Sequence, residues 1–222
     1  ESMEGQLSRC RKKSLKEIAY LKIKEAIASG ELKPAQELQE IEMAEKLGVS
    51  RTPIREAFLR LEAEGFVRII PHKGAIVSKL DLNDIVQISQ VREALEGMAA
   101  RLACGRLDIA KLEEIKSDFP SHDELNTPEN QRKSYENGKV LHNYILRSSS
   151  NDLIVKTVES LELQFQRTML LAAEVPGRYE RALNEHLNII EALKKQDPDE
   201  AEKRMREHIV NARNSIISAL RG

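Results

Sequence analysis

Most informative about the fold is the segment Leu47-Gly48-Val49-Ser50-Arg51-Thr52-Pro53-Ile54-Arg55-Glu56-Ala57-Phe58. A short helix is predicted over residues 39–47, and Gly48 is placed to end it because glycine adopts the left-handed conformation at little cost. Ser50 is predicted to cap the helix that follows. A short helix, a glycine turn and a capped helix together form the layout of a helix-turn-helix.

The flanking sequence extends this layout to a winged helix. Apolar side chains recur at helical spacing over residues 14–29, between Ser14 as a candidate cap and Gly30 as a candidate end. After the second helix of the motif come two β-prone runs, 66–70 and 75–78, which predict a small hairpin or wing. We therefore predict a winged helix-turn-helix domain over residues 10–79.

The rest of the chain, residues 80–222, is predicted to be an all-α bundle, so that the fold is mainly α. Asp81 and Asp84 form a capping pattern at its start. Aromatic residues make up 4% of the chain and Trp is absent, which argues against an all-β sandwich. The segment from Phe119 to Asn130, with two prolines, is predicted as a loop. The predicted helices cover residues 82–103, 108–116, 131–147, 151–173, 178–195 and 198–220.

The start of the second helix of the motif is the predicted DNA-reading element, because this end of a recognition helix enters the major groove. Arginine can bond guanine or phosphate, and threonine can bond phosphate or contact a thymine methyl. At the wing tip, a lysine offers a charge and a glycine allows close backbone approach. The predicted DNA contacts are Ser50, Arg51, Thr52, Arg55, Lys73 and Gly74. Taken singly, the arginines would be solvated charges paired with Glu56 or Glu62; the ordered set favours DNA binding.

Three histidines are predicted to face the core of the bundle from three different helices. His142, His186 and His208 each share a helical stripe with apolar residues. One inward histidine is usually a core residue, whereas three on separate helices could converge on a divalent metal. Imidazole ligands suit Zn or Ni better than Mg. We expect the three rings to share one site.

Arg92 falls on the apolar stripe of the helix predicted over residues 82–103, and an inward charge needs a partner. Two interpretations are equally open. Arg92 pairs with Glu96 one turn along the helix, or it binds the carboxylate of a small effector in the same cavity as the histidines.

These motifs closely resemble the GntR family of bacterial regulators. The segments that carry the resemblance are 30–34, 38–40, 47–58, 61–67 and 74–77. The helical remainder looks like the FCD effector domain of the FadR-like branch. The resemblance implies dimers on palindromic operators, the DNA contacts named above, and a metal held by an Asp and three histidines. Gly138 stands at the Asp position, so Asn137, water or an effector carboxylate would have to fill the gap.

Composition restricts the remaining function classes. The formal net charge is −1, although basic residues outnumber acidic ones in the first 80 residues. Two cysteines, Cys10 and Cys104, form no disulfide framework, and no apolar run approaches the ~18 residues of a membrane span. We therefore expect a cytoplasmic, ligand-responsive regulator of transcription that performs no catalysis. The alternatives are a metal-dependent hydrolase and a protein-interaction module.

Overall fold

The computed structural model describes residues 14–71, 73–172 and 175–221. Predictions that involve residues 10–13, His72 and Ala173 lie outside this part of the chain. The chain divides into two compact units, the first ending at Lys79 and the second beginning at Leu80.

The first unit is a winged helix-turn-helix, as predicted. Its elements are α1 (Leu15–Ala28), β1 (Glu37–Leu38), α2 (Glu40–Leu47), α3 (Arg51–Ala63), β2 (Val67–Ile70) and β3 (Gly74–Val77). The strands form an antiparallel sheet in the order β1-β3-β2. The hairpin β2–β3 was predicted, whereas the sequence around Pro34 favours a turn over the segment that contains β1. Two residues are too few to show the alternation by which a strand is recognised.

Local signals fix most of these helix ends. The Ser14 side chain accepts a hydrogen bond from the Glu17 amide at 3.3 Å, and Gly48 ends α2 in the left-handed conformation. Ser50 occupies the cap position of α3 but makes no side-chain capping bond, contrary to the prediction. Ile41 shares a helical stripe with Ala44 and Leu47, which predicts an inward position, but it is exposed. Met43 and Ala44 are the buried residues of α2.

The second unit is all-helical, as predicted. Its helices are α4 (Leu82–Ala103), α5 (Ile109–Asp118), α6 (Pro128–Ser148), α7 (Asp152–Ala172), α8 (Arg178–Lys194) and α9 (Pro198–Arg221). The capping box of Asp81 and Asp84 is present at the start of α4. Helix α4 packs most extensively against α9 and also contacts α6 and α7, and α8 packs against α9 and α6.

Several details of the second unit differ from the sequence prediction. Helix α6 begins at Pro128, three residues early, because Thr127 caps it and proline suits a first helical turn. Part of the predicted loop, His122–Glu124, is a 3₁₀ turn. Leu82 lies on the same apolar stripe of α4 as Arg92, which predicts burial, but it is exposed. Among the described residues, no helix combines the length and apolar character needed to cross a membrane.

Candidate functional site

The predicted DNA-reading side chains cluster at the exposed start of α3. Arg51 and Arg55 are 55% and 59% exposed, and both bond the same carboxylate oxygen of Glu40, at 3.1 and 2.7 Å. The suggested partners Glu56 and Glu62 are wrong. Glu56 lies near Lys16, and Glu62 accepts a hydrogen bond from the Ile69 amide. Glu40 is the first residue of α2, so the turn between the helices brings the acid and the two arginines together.

Ser50, Thr52 and Lys73 are also exposed, whereas Gly74 is buried. A Cβ on Gly74 would lie 2.2 Å from the Leu38 carbonyl oxygen, and its φ is +107°. The packing of β1 against β3 is therefore sufficient reason for glycine at this position. DNA contact by these residues stays a prediction.

The second unit encloses a cavity of about 190 Å³ between its helices. Each of five helices contributes to its wall: Arg92 from α4, His142 from α6, Phe165 from α7, His186 from α8 and His208 from α9. Further aromatic surface comes from Tyr135 and Tyr179. The cavity is thus largely apolar with a few polar groups, the usual character of a small-molecule site.

The three histidines meet at this cavity. Their ring centroids are 5.4 Å apart for His142 and His186, 5.1 Å for His142 and His208, and 4.5 Å for His186 and His208. One nitrogen from each ring lies within 4.8 Å of the others. Adjacent nitrogens at tetrahedral zinc are about 3.4 Å apart, given Zn–N bonds of about 2.0–2.1 Å. The donor set fits a divalent metal after a modest closing of the rings.

Two carboxylates orient two of these rings. His142 Nδ1 meets Glu96, and His208 Nδ1 lies 2.8 Å from an oxygen of Glu185. If each Nδ1 carries the proton donated to its carboxylate, Nε2 keeps the lone pair that a metal requires. Such carboxylate–histidine pairs commonly support metal ligands.

Burial favours the neutral, metal-binding form of two of the three histidines. It lowers the pKa of His186 and His208 well below the usual value, and the neighbouring imidazoles and Arg178 act in the same direction. Burial alone would raise the pKa of Glu96, but the charge of Arg92 and the contacts with His142 lower it to about 2. For Glu185, burial prevails and raises the pKa despite Arg178. His186 and His208 therefore favour the neutral form, while Glu96 is ionised.

Gly138 lies directly against one of the histidines. A Cβ added there would be 2.6 Å from His186 Cε1, so a side chain at 138 requires the ring to move. Asn137 was one candidate to replace the Asp of the resembled family. Its amide instead bonds the Asp118 carbonyl, and Asn137 is not among the described residues that line the cavity. Water or an effector oxygen remain the candidates.

Arg92 combines features of both interpretations left open by the sequence. It pairs with Glu96 on the next turn, and the guanidinium lies 3.3 Å over the Phe165 ring centroid. It also lines the cavity, and its buried Nη1 has no hydrogen-bond partner among the described residues. Effector binding by Arg92 stays a prediction.

Arg178 is the site residue that the sequence analysis missed. It is the first residue of α8, 3% exposed, and bonds Glu185 Oε2 through Nη1 at 3.1 Å. A signal for it existed: Arg178, Ala182 and Glu185 are spaced by four and three residues, which puts them on one stripe next to His186.

Comparisons with known proteins agree with this architecture. The family model described as "Bacterial regulatory proteins, gntR family" matches residues 15–77, and the FCD domain model matches residues 87–211. The chain is 30% identical over 184 residues to a probable D-xylose utilization operon transcriptional repressor of Paenarthrobacter nicotinovorans, covering 82% of this chain and 80% of that protein.

Two further relatives extend the comparison. The chain is 26% identical to the HTH-type transcriptional repressor RspR of Escherichia coli K12, again over 82% of this chain and 80% of the relative. The solved structure of E. coli McbR/YncC superposes with a TM-score of 0.72 at 22% identity, covering 93% of this chain and 98% of the other. The latter likeness concerns the fold alone.

Proposed function

This chain belongs to the GntR family of bacterial regulatory proteins and carries an FCD domain, and from that membership we propose how this transcription regulator works. In the cytoplasm, a homodimer binds a two-fold symmetric operator through the start of α3. A small acid that enters the cavity of the second unit, beside a divalent metal, modulates the affinity for DNA. The observation that carries the proposal is the convergence of three imidazoles and two arginines on one enclosed cavity.

The DNA side of the proposal is supported by the exposed cluster at the start of α3. Ser50, Arg51, Thr52 and Arg55 offer donors for bases and phosphates, and Lys73 adds a charge at the wing. One short recognition helix reads few base pairs, and a symmetric dimer doubles that number. This is the physical reason for expecting a dimer and a palindromic site.

The sensing side is supported by the polar groups of the cavity. His142, His186 and His208 would hold the metal, for which Zn or Ni suits imidazole nitrogen. The bound metal would supply a Lewis acid for an oxygen of the effector. Arg92, whose buried Nη1 has no hydrogen-bond partner within the described part of the chain, would orient the effector carboxylate through charge-assisted hydrogen bonds.

Regulation requires that the effector bind the DNA-competent and DNA-incompetent arrangements with different affinity, since otherwise it shifts no equilibrium. The cavity lies among α4, α6, α7, α8 and α9, so ligand contacts can alter the packing of five helices. Curated relatives are named as transcription regulators. That naming favours regulation over the hydrolase and the interaction-module alternatives.

A direct test begins with selection of bound duplexes from a random DNA pool and measurement of operator affinity at fixed salt. A panel of small carboxylic acids is then added to wild type and to Arg92→Gln. We expect at least one acid to change the wild-type affinity and to have little effect on the variant. The effector proposal fails if no acid alters DNA binding, or if Arg92→Gln responds as wild type does.

Metal content and assembly need separate measurements. Protein purified without an affinity tag should contain Zn or Ni by elemental analysis, and His186→Ala should lose it. Metal-free wild type that takes up neither ion would remove the metal from the proposal and leave the acid site. Sedimentation should show a dimer alone and on DNA; a monomer in both conditions would contradict the symmetric operator.

A further inference from the structure

Arg178 lies beside the histidines on the α8 wall of the cavity. It lines that cavity and is 3% exposed. Its Nη1 is bonded to Glu185, whereas Nε is buried and has no hydrogen-bond partner among the described residues. A buried donor left unmet is costly, and native structures rarely keep one without a reason.

Arginine can bind a carboxylate through two parallel hydrogen bonds from one side of the guanidinium, and the side that includes Nε is one of those available. Arg178 also begins a 17-residue helix, whose first turn favours negative charge. The burial of Arg178, its Nε without a hydrogen-bond partner among the described residues and its position at the start of α8 all favour an anion as the ligand.

Arg92 and Arg178 occupy equivalent places in two parallel arrangements. Arg92 bonds Glu96, which meets His142 on one side of the histidine cluster. Arg178 bonds Glu185, which meets His208 on the other side. The two arginines therefore approach the cluster through different histidines, and each retains one buried nitrogen without a hydrogen-bond partner in the segments that the structure describes.

The charges of these groups indicate what a ligand must carry. Each arginine has one carboxylate beside it, so the two pairs balance. Lys139 and Glu162, which also line the cavity, balance each other, and the imidazoles add no charge while they are neutral. A divalent metal at the histidines would leave two positive charges, with no side-chain carboxylate at Gly138 to offset them. Because an unpaired buried charge is expensive, the matching ligand carries two negative charges.

The size and walls of the cavity limit the ligand further. An engineered cavity of about 150 Å³ in another protein accepts benzene, so about 190 Å³ suits a molecule of similar or slightly larger size. Phe165, Tyr135 and Tyr179 add aromatic surface to the lining. The ligand is thus short, with an uncharged middle and an acidic group at each end.

We infer that Arg178 is a second anion-binding residue of the cavity and that the effector is a short dicarboxylic acid, with one carboxylate at Arg92 and the other at Arg178. The inference rests on the proposed function of the cavity as an effector site. It goes further by naming the class of acid and the residue that selects it.

The test compares each dicarboxylate with its half-amide, which has nearly the same shape and one charge fewer. Malonate, succinate, glutarate and adipate are titrated calorimetrically against the full-length protein, with and without added Zn²⁺, beside the corresponding half-amides. At least one dicarboxylate should bind about 10- to 100-fold more tightly than its half-amide, the contribution expected of charge-assisted hydrogen bonds.

Variants assign this preference to Arg178. In Arg178→Gln the gap between dicarboxylate and half-amide should close, because the dicarboxylate loses much more affinity than the half-amide does. The matched control is Arg181→Gln, which removes an exposed arginine from the same helix end and should preserve the gap. Arg178→Lys keeps the charge but cannot form two parallel hydrogen bonds with one carboxylate, so most of the gap should disappear. This variant replaces Arg178→Gln if circular dichroism shows that Arg178→Gln is unfolded.

The outcomes separate the inference from the proposed function. Equal binding of dicarboxylates and half-amides by wild type overturns the inference, as does an unchanged gap in the Arg178 variants. If monocarboxylates bind in an Arg92-dependent way and no dicarboxylate is preferred, the effector site stands and the second anchor does not. If no acid binds wild type at all, both are wrong.

Discussion

Arginine and glutamate meet in both units of this protein, with opposite exposure to water. At the start of α3, Arg51 and Arg55 share Glu40, and the two arginine side chains are more than half exposed. In the second unit, Arg92 and Glu96 are 5% and 1% exposed, and Glu96 also holds His142. The same two side-chain types thus occur on a surface that meets solvent and, buried, beside the cavity of the second unit.

The difference in burial determines what each arrangement can do. Exposed ion pairs contribute about 0–1 kcal/mol to stability, so a phosphate or a base can replace Glu40 at little cost. A buried pair strongly resists the loss of either partner, because the remaining charge cannot be hydrated. The surface arrangement is suited to exchange of partners and the buried one to holding an imidazole in place.

The largest expected effect comes from breaking the buried arrangement. Glu96→Ala should lower the free energy of unfolding by about 3–5 kcal/mol, because Arg92 and His142 lose their shared carboxylate inside the bundle. Urea denaturation followed by far-UV circular dichroism measures the loss. The control, Glu159→Ala, removes a carboxylate that pairs with Arg147 at the surface and should cost no more than about 1 kcal/mol. Equal losses in the two variants would contradict the comparison.

Breaking the exposed arrangement should affect DNA binding and spare stability. Arg51→Ala or Arg55→Ala should each weaken specific operator binding by roughly 1–3 kcal/mol, the usual contribution of an arginine that reads a base. Unfolding should change by less than about 1 kcal/mol, since the lost ion pairs are exposed. Lys203→Ala removes an exposed cation from the second unit and serves as the control for net charge. Unchanged operator affinity in both arginine variants, with intact folding, would remove this helix from the groove.

The sequence was most informative where local signals act alone. The capping pair of Asp81 and Asp84 and the helical periodicity that follows predicted α4 with its observed limits, Leu82–Ala103. Gly48 likewise predicted the end of α2. Strand β1 could not be predicted because its two residues are held by pairing with β3, which is a tertiary contact.

For the candidate site, the sequence could predict which face of a helix a side chain occupies but not the partner it meets. The inward phase of His142, His186 and His208 was readable from their apolar neighbours. Glu185 contacts His208 from 23 residues away, and Glu40 meets Arg55 from 15 residues away, distances at which spacing carries no signal. The suggested partners for the α3 arginines were wrong for this reason: only near neighbours on the helix were considered.

A third charged cluster, of intermediate burial, tests whether exposure alone determines how much such contacts contribute to the free energy of unfolding. Glu64 accepts hydrogen bonds from Tyr20 at 2.8 Å and from Lys24 at 2.6 Å, and it is about one-third exposed. Burial by itself raises the pKa of Glu64, but the bonds from Lys24 and Tyr20 outweigh it, so the pKa is lowered. A lowered folded-state pKa stabilises the fold above the unfolded-state value and loses that stabilisation as the pH falls.

The first unit should therefore lose stability below about pH 4.5, the ordinary value for a glutamate, and Glu64→Gln should remove part of that loss. We expect the difference in unfolding free energy between wild type and Glu64→Gln to shrink by about 1 kcal/mol on acidification, less than for a fully buried charge. Denaturation at a series of pH values measures it, with the exposed Glu45→Gln as the control. A difference that stays constant with pH would show that the half-buried cluster behaves like the surface one.

The smallest effect is expected from Glu40, the carboxylate shared by the two α3 arginines. Glu40→Ala removes a negative charge from the surface that is proposed to face phosphates, so binding to random-sequence duplex should strengthen by roughly two- to fivefold at low salt. The same change frees Arg51 and Arg55 from the oxygen that fixes them, at 3.1 and 2.7 Å, so binding to the operator should gain less than binding to random DNA.

Glu42→Ala, an exposed acid on the same helix, controls for charge alone and should raise both affinities alike. The ratio of operator to random-sequence affinity, measured over a range of salt concentrations, separates the two contributions. A ratio that falls for Glu40→Ala and not for Glu42→Ala means that the shared carboxylate positions the arginines before DNA arrives. If the two variants change the ratio equally, Glu40 acts only as a charge that phosphate displaces, and the exposed arrangement has no ordering role.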